Sequence, residues 1–366
     1  MTGLRLLLAL HSSTGGIGAH VAMLAEDLAA RHEVTVLAPT DTLERPDLAA
    51  LTSTGVVLEE LGGRRSHLRA LIHAADVVHA HGYHAGLSML RRAPRTARRQ
   101  LVCTWHNLPP DGSVFQRLSG ATVARVLANG SRMTLGASDD LVELAARLGA
   151  DDARAFPVVA PPLPSASVAP EMLRKQLGVA PDQPMGLAVG RLAPQKDQLT
   201  MVDAWAWLAD VRPAPVLVIA GEGPLRESLQ HRIEETGANV RLLGHRDDVA
   251  DLLAAADLAV NSSSWEARAL VAQEALRTGV PFVGTAVGGV PGLVGTAAVL
   301  VPSGDTIALA RACRHVLTDA SLAERLRVEG PQQAATWPDR ADAVALAESL
   351  YNEIAASDTP GRRPLG

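Results

Sequence analysis

Cysteine is nearly absent from this chain of 366 residues: Cys103 and Cys313 are the only two. That excludes a disulfide framework and a cysteine-rich metal site. Long apolar runs are missing too. None approaches the roughly 18 residues of a membrane span, and the opening run 4–10 is too short for a signal-peptide core. Positive charge is not in excess: 34 Lys+Arg against 39 Asp+Glu leaves −5, which argues against wholesale nucleic-acid binding. Scarcest among the charged residues is lysine. Only Lys175 and Lys196 occur, and every other cation is arginine. No Asp-x-Asp pair is present. The length suggests two domains, and the absences together predict a cytoplasmic protein.

What is present is an alternation. Apolar runs at 4–10, 33–37, 56–58, 77–80, 101–104 and 133–135 are separated by helix-period segments. Runs without polar alternation suggest strands buried on both faces of a parallel sheet, and the order β-α-β-α implies a doubly wound α/β domain. Pro157, Pro161, Pro162, Pro164 and Pro170 then break the pattern. It restarts with strand candidates at 186–189, 216–220, 240–243, 258–260, 281–283 and 299–301, and with helices at 199–208, 225–236, 270–277 and 307–317. The predicted organisation is an N-terminal domain at 1–160, a linker at 161–170 and a C-terminal domain at 171–338. A last helix at 339–357 is expected to cross back to the N-terminal domain, before a disordered tail at 358–366. Two such domains would leave a ligand cleft between the carboxyl ends of their sheets.

Lys196 sits in the segment Met-Gly-Leu-Ala-Val-Gly-Arg-Leu-Ala-Pro-Gln-Lys, residues 185–196. An apolar run ends at Gly190, Arg191 follows, and Lys196 comes just before a helical pattern. Two cations beside a helix N-terminus suit an anion, and a compact ammonium suits a phosphate. Alone, such a pair is most simply a surface pair.

The order of the other motifs changes that reading. Gly15-Gly16-Ile17-Gly18 follows the first strand. Ala220-Gly221-Glu222-Gly223-Pro224 and Gly244-His245-Arg246-Asp247-Asp248-Val249 close later ones. Ser264-Trp265-Glu266 and Glu274-Ala275-Leu276 come next, then Gly279-Val280-Pro281 and Gly288-Gly289-Val290-Pro291. Over nearly its whole length the chain resembles the retaining glycosyltransferases of the GT-B fold, specifically glycosyltransferase family 4. The resemblance implies two Rossmann-like domains and transfer of a sugar from a nucleoside-diphosphate sugar, with no cofactor and no metal, to an acceptor such as a lipid-linked molecule or a glycan.

It also implies residue roles. Arg191 and Lys196 would meet the charge that develops on the leaving diphosphate, in place of a divalent metal. Glu266 would face the donor sugar and Glu274 the nucleotide ribose. The two glutamates are about two turns apart if the segment between them is helical. Gly15, Gly16, Gly18 and Gly190 would let backbone approach the donor, with Ala269, Leu270 and Val271 also on its side. The loop at Arg246 would flank the base through backbone. His106, in Thr104-Trp105-His106-Asn107, would lie beside the transferred sugar and ranks above His81. Acceptor contacts would fall on loops such as 107–114. Arg64, Arg65, Arg69, Arg91, Arg92, Arg95, Arg98 and Arg99 could form a basic face toward acidic lipid at the inner face of the membrane, but a solvated loop is the simpler reading, and Pro94 argues against one long amphipathic helix.

The chain departs from the family at three places. Glu266-Ala267-Arg268-Ala269 stands where the family often has Glu-Gly-Phe-Gly, and Gly292 where it often has glutamate. The linker reads Val158-Val159-Ala160-Pro161-Pro162, without the usual Asn-Gly turn. Ala267 and Gly292 therefore prompt an alternative, a weakly active or non-catalytic binder of sugar nucleotides. Gly16-x-Gly18 with Asp41 prompts another, an NAD-dependent oxidoreductase, but Val21 stands where the third glycine belongs.

Overall fold

The computed structural model of the chain describes residues 3–13, 16–93, 95–109, 114–159 and 163–357. The apolar runs become strands of two parallel sheets, each within its own unit: Met1–Pro161 with Pro338–Gly366, and Pro162–Trp337.

The first unit holds β1 (Arg5–Leu10), β2 (Glu33–Ala38), β3 (Val57–Glu60), β4 (Val77–His81), β5 (Leu101–Trp105), β6 (Met133–Gly136) and β7 (Ala153–Ala155). Their order is β3-β2-β1-β4-β5-β6-β7, with β1 paired to β2 and β4 in parallel register, Leu8 opposite both Val36 and His79. β4, β5 and β6 are buried along their whole length, which is why their sequences carry no alternation. Strand order reverses between β1 and β4, and ligands in doubly wound sheets bind at such a switch point, outside the carboxyl ends. The helix Arg340–Ser357 belongs to this unit. It sends Val344, Ala347, Leu350, Tyr351 and Ile354 into the core around β1, and Arg340 forks onto Asp27 at 2.6 Å.

The second unit holds β8 (Met185–Val189), β9 (Val216–Ala220), β10 (Val240–Gly244), β11 (Leu258–Asn261), β12 (Phe282–Thr285) and β13 (Val299–Val301), ordered β10-β9-β8-β11-β12-β13 and all parallel. Its switch point lies between β8 and β11. One face is packed by Trp205, whose ring covers Gly186 so closely that a Cβ there would lie 2.4 Å from it. The other is packed by Leu252, Leu253, Ala272, Leu276 and Leu293.

Among the elements that the sequence reading does not name are the three-residue edge strand β7 and the helices Val249–Ala255, Val290–Val294 and Ala320–Ala334, the last with Pro331 inside it. The linker prediction needs one correction. Pro170 opens the helix Pro170–Gln176 at its first turn, where a missing N–H costs nothing, so the linker ends before it. Residues 160–162 and the tail 358–366 lie outside the described residues. Among the described residues no helix is long and apolar enough to cross a membrane.

Candidate active site

Parallel topology brings the second unit's motifs to one edge. The turns after β8, β9, β10, β11 and β12 carry residues 190–196, 221–224, 244–248, 262–266 and 286–290, all at the carboxyl ends of their strands. Gly221 packs its backbone onto the β8 turn. At φ +149°, a Cβ on it would lie 1.9 Å from the carbonyl oxygen of Gly190. Lys196 closes the short turn Pro194–Lys196, and Asp197 leads into the helix Gln198–Ala206. Its Nζ forms an ion pair with Glu266 Oε1, across the β8/β11 switch point. Glu266 Oε1 also accepts from Ser263 Oγ at 2.7 Å. Ser262, fully buried, donates to the carbonyl oxygens of Lys196 (3.0 Å) and Asp197 (2.8 Å). Gln195 Nε2 donates to the Trp265 carbonyl at 2.8 Å. The two turns are thus stitched together by their own side chains. Arg191 is exposed.

Glu266 stands on the loop ahead of the helix Leu270–Arg277, which carries Glu274. The first backbone N–H groups of that helix, at Leu270 and Val271, have no acceptors within it, and Ala269 precedes them. Glu274 is half-buried; burial raises its carboxyl pKa while the Arg277 charge opposes that. Arg268 is half-buried with its Nε unpartnered, and burial together with the nearby Arg277 charge lowers its pKa. Gly288, at φ +51°, lies so close under the Glu266 carbonyl that a Cβ would sit 2.1 Å from it, and the Gly289 N–H donates to that carbonyl at 2.9 Å. Gly292 is different: a Cβ there would meet open space.

The first unit's switch point is built from uncharged rings. His20 on the helix Gly16–Leu28, His79 and His81 on β4, and His106 just beyond β5 are all buried. His20 contacts His81 and His106 with ring centroids 5.9 and 6.1 Å away, and the His81 and His106 rings lie edge to edge and nearly parallel, 25° apart, with centroids at 5.5 Å. Burial lowers the pKa of all four, His20 to about 4 and His79 to about 3. Among the described residues no group of His, Cys, Asp or Glu is arranged to hold a metal.

Residues 14–157 match the model of Glycosyltransferase Family 4, and residues 171–333 that of Glycosyl transferases group 1. The chain belongs to glycosyltransferase family 4. The D-inositol 3-phosphate glycosyltransferase of Corynebacterium glutamicum is 27% identical over 345 residues, 85% of this chain and 82% of that protein. The 2-deoxystreptamine N-acetyl-D-glucosaminyltransferase of Streptomyces fradiae is 36% identical over 156 residues, 40% of this chain and 37% of that one. The match thus spans well under half of that relative, and about half of two others. Anabaena HepE, solved with UDP and glucose, superposes with a TM-score of 0.81 over 95% of this chain and 100% of its own, at 21% identity. That likeness establishes the GT-B fold.

Within this family fold, several expected roles meet a more specific geometry. Lys196 and Glu266 come together, but as each other's partners. Glu266 and Glu274 are not on one helix, because the helix starts only at Leu270. The Arg246 side chain forks onto Asp248, Nε to Oδ1 at 2.7 Å, so only its backbone is free to flank a base. Gly18 lies under the Arg45 guanidinium, 2.8 Å from where a Cβ would be, so its bare face packs against protein. Gly16 opens its helix as read, and Gly15 lies outside the described residues, as do 110–113 of the acceptor loop. Sequence reasoning assigns no role to Ser262, Ser263, His20 or His79. The polar run Asn261-Ser262-Ser263-Ser264 after an apolar strand marks the serines, and strand alternation puts His79 on the same face as His81.

Proposed function

We propose that the chain is a retaining, metal-independent glycosyltransferase acting on a nucleoside-diphosphate sugar. The observation that carries this is the Lys196–Glu266 pair at the β8/β11 switch point, with Arg191 exposed on the same turn. An arriving diphosphate competes for Lys196 and releases Glu266, whose carboxylate then accepts from a sugar hydroxyl. The bond from the anomeric carbon to the diphosphate oxygen breaks as the bond to the acceptor oxygen forms on the same face. The acceptor proton passes to the departing phosphate, while Arg191 and Lys196 hold its charge. The backbone N–H groups at Leu270 and Val271 add to that field. By the family resemblance, Glu274 would serve the ribose and His106 an oxygen of the sugar. That HepE is solved with UDP and with UDP-glucose favours a uridine donor.

Thermal shift with UDP, GDP, ADP and NAD tests the binding step. Preferential stabilisation by a nucleoside diphosphate is expected, and preference for NAD would sink the proposal. Donor hydrolysis followed over hours without added metal tests the chemistry. The specific alternative is a non-catalytic binder, favoured by the buried Ala267 methyl beside Glu266. Absence of turnover with every donor that binds would establish that alternative.

The acceptor side points to an acidic membrane surface reached from the cytoplasm. Arg64, Arg65, Arg69, Arg91, Arg98 and Arg99 are exposed, and the neighbouring helix Val114–Gly130 exposes Leu118 and Val126. Co-sedimentation with phosphatidylglycerol vesicles but not with phosphatidylcholine vesicles is expected; equal behaviour with both would remove this reading.

A further inference from the structure

The His81–His106 contact has a direction, and it decides what His106 can do. His81 Nδ1 lies 3.2 Å from His106 Nε2, so one hydrogen joins the two rings. The other nitrogen of His81, Nε2, is buried without a partner. No neighbour repairs this. His79, at 4.0 Å between centroids, has both nitrogens engaged: Nδ1 with the Tyr351 hydroxyl and Nε2 with the Thr104 hydroxyl, each at 2.6 Å. His20 contacts His81 only edge-on.

A neutral imidazole carries one proton. On Nε2 of His81, that proton would be a buried donor with no acceptor, which disfavours the tautomer by about tenfold or more. On Nδ1, the same proton makes the bond to His106. Burial holds both rings neutral, so a doubly protonated His81 does not compete.

We infer that His81 is a positioning residue that donates from Nδ1 to Nε2 of His106 and locks His106 in its Nδ1–H tautomer. His106 then presents an N–H donor on its remaining nitrogen, and no lone pair. Beside a substrate it hydrogen-bonds an oxygen of the sugar and cannot take the acceptor's proton. The chemical meaning of the lock rests on the glycosyltransferase reading; the lock itself does not.

The test uses the full chain labelled with 15N at histidine. Long-range 1H–15N correlation reads the tautomer of each ring, with signals assigned by their loss in His81→Asn and His106→Gln. His106 should be protonated at Nδ1 and bare at Nε2; a proton at Nε2 overturns the inference. Where a variant folds poorly, the same signals are assigned in the wild-type chain by through-bond correlation from ring to backbone, so a misfolded variant does not spare the inference. The second arm compares two variants in donor hydrolysis. His81→Phe removes the donor, whereas His81→Asn places an amide N–H near the position of Nδ1. The Phe variant should lose about tenfold in kcat with KM nearly unchanged, and the Asn variant should recover most of it. Equal loss in both, or no loss in either, would overturn the positioning role. Loss of nucleotide binding alongside the Nδ1–H tautomer would support the lock and overturn the function instead.

Discussion

The two units place their working residues at the same topological address and build them from opposite materials. At the β8/β11 switch point the second unit holds an ion pair, Lys196 with Glu266, braced by Ser262, Ser263 and Gln195. At the β1/β4 switch point the first unit holds four buried imidazoles that burial keeps uncharged. A parallel sheet with reversed strand order supplies the place in both cases; the side chains decide whether it handles charge. The ammonium keeps 29% of its side chain exposed and can exchange one anion for another, whereas the imidazoles are buried and carry no charge to exchange. On the proposed reaction, leaving-group charge would fall to the second unit and sugar orientation to the first.

The hardest blow to that division is at Lys196. Lys196→Ala should lower turnover by about tenfold to a thousandfold, as loss of one charge-stabilising donor does elsewhere. Steady-state hydrolysis of the donor measures it, and unchanged turnover would remove charge handling from this turn. Gly221→Ala comes next. Its Cβ would collide with the Gly190 carbonyl at a backbone angle that side chains rarely adopt, so a loss of about 3 kcal/mol is expected. Four of the five tryptophans, Trp205, Trp207, Trp265 and Trp337, lie in the second unit, so fluorescence-detected denaturation should report the loss. A wild-type midpoint would show that the β8 and β9 turns can part freely.

Acid should separate the two units in the other direction. For histidines whose folded pKa is lowered, the unfolded chain binds more protons once the pH falls below the ordinary value of 6.5. Their stabilising contribution is full above pH 6.5 and is lost as pH falls toward about 4, the value for His20, and then about 3, the value for His79. Each such histidine changes the folding equilibrium by about tenfold per pH unit in that window. Both nitrogens of His20 are buried and unpartnered, so His20→Leu should flatten the acid limb of the first unit's unfolding curve. An acid limb unchanged in slope would mean that the imidazoles are not what acid attacks.

How much of this was legible in the sequence follows from the range of each interaction. Buried parallel strands announce themselves locally, because both faces need apolar residues; thus 216–220 and 299–301 were read to the residue. β7 was not, because a short edge strand with Arg154 at its centre carries no apolar run. Order of motifs along the chain puts Arg191, Lys196 and Glu266 on turns at the carboxyl edge of one sheet, with Glu274 on the helix that follows. Pairing did not follow from order. That Lys196 meets Glu266, that Arg246 is claimed by Asp248, and that Arg45 covers Gly18 are side-chain choices made between residues far apart or across a turn. Periodicity does not encode them. The histidine cluster joins a helix, two strands and the returning helix through Tyr351, and only the alternation of His79 and His81 was visible beforehand.

The smallest expected effect tests the comparison from within the second unit. If charge there serves the diphosphate alone, a charged residue on a neighbouring turn should matter little to the donor. Arg246 is such a residue: its guanidinium is spent on Asp248, and about a third of each side chain stays exposed. A pair of that kind contributes no more than about 1 kcal/mol to stability. Arg246→Ala should therefore leave the affinity for each nucleoside diphosphate within about threefold of wild type and the preference among bases unaltered. Calorimetric titration with UDP, GDP and ADP reads both. A switched base preference would mean that this side chain leaves Asp248 to read the base, and that the second unit uses charge for recognition as well as for the leaving group.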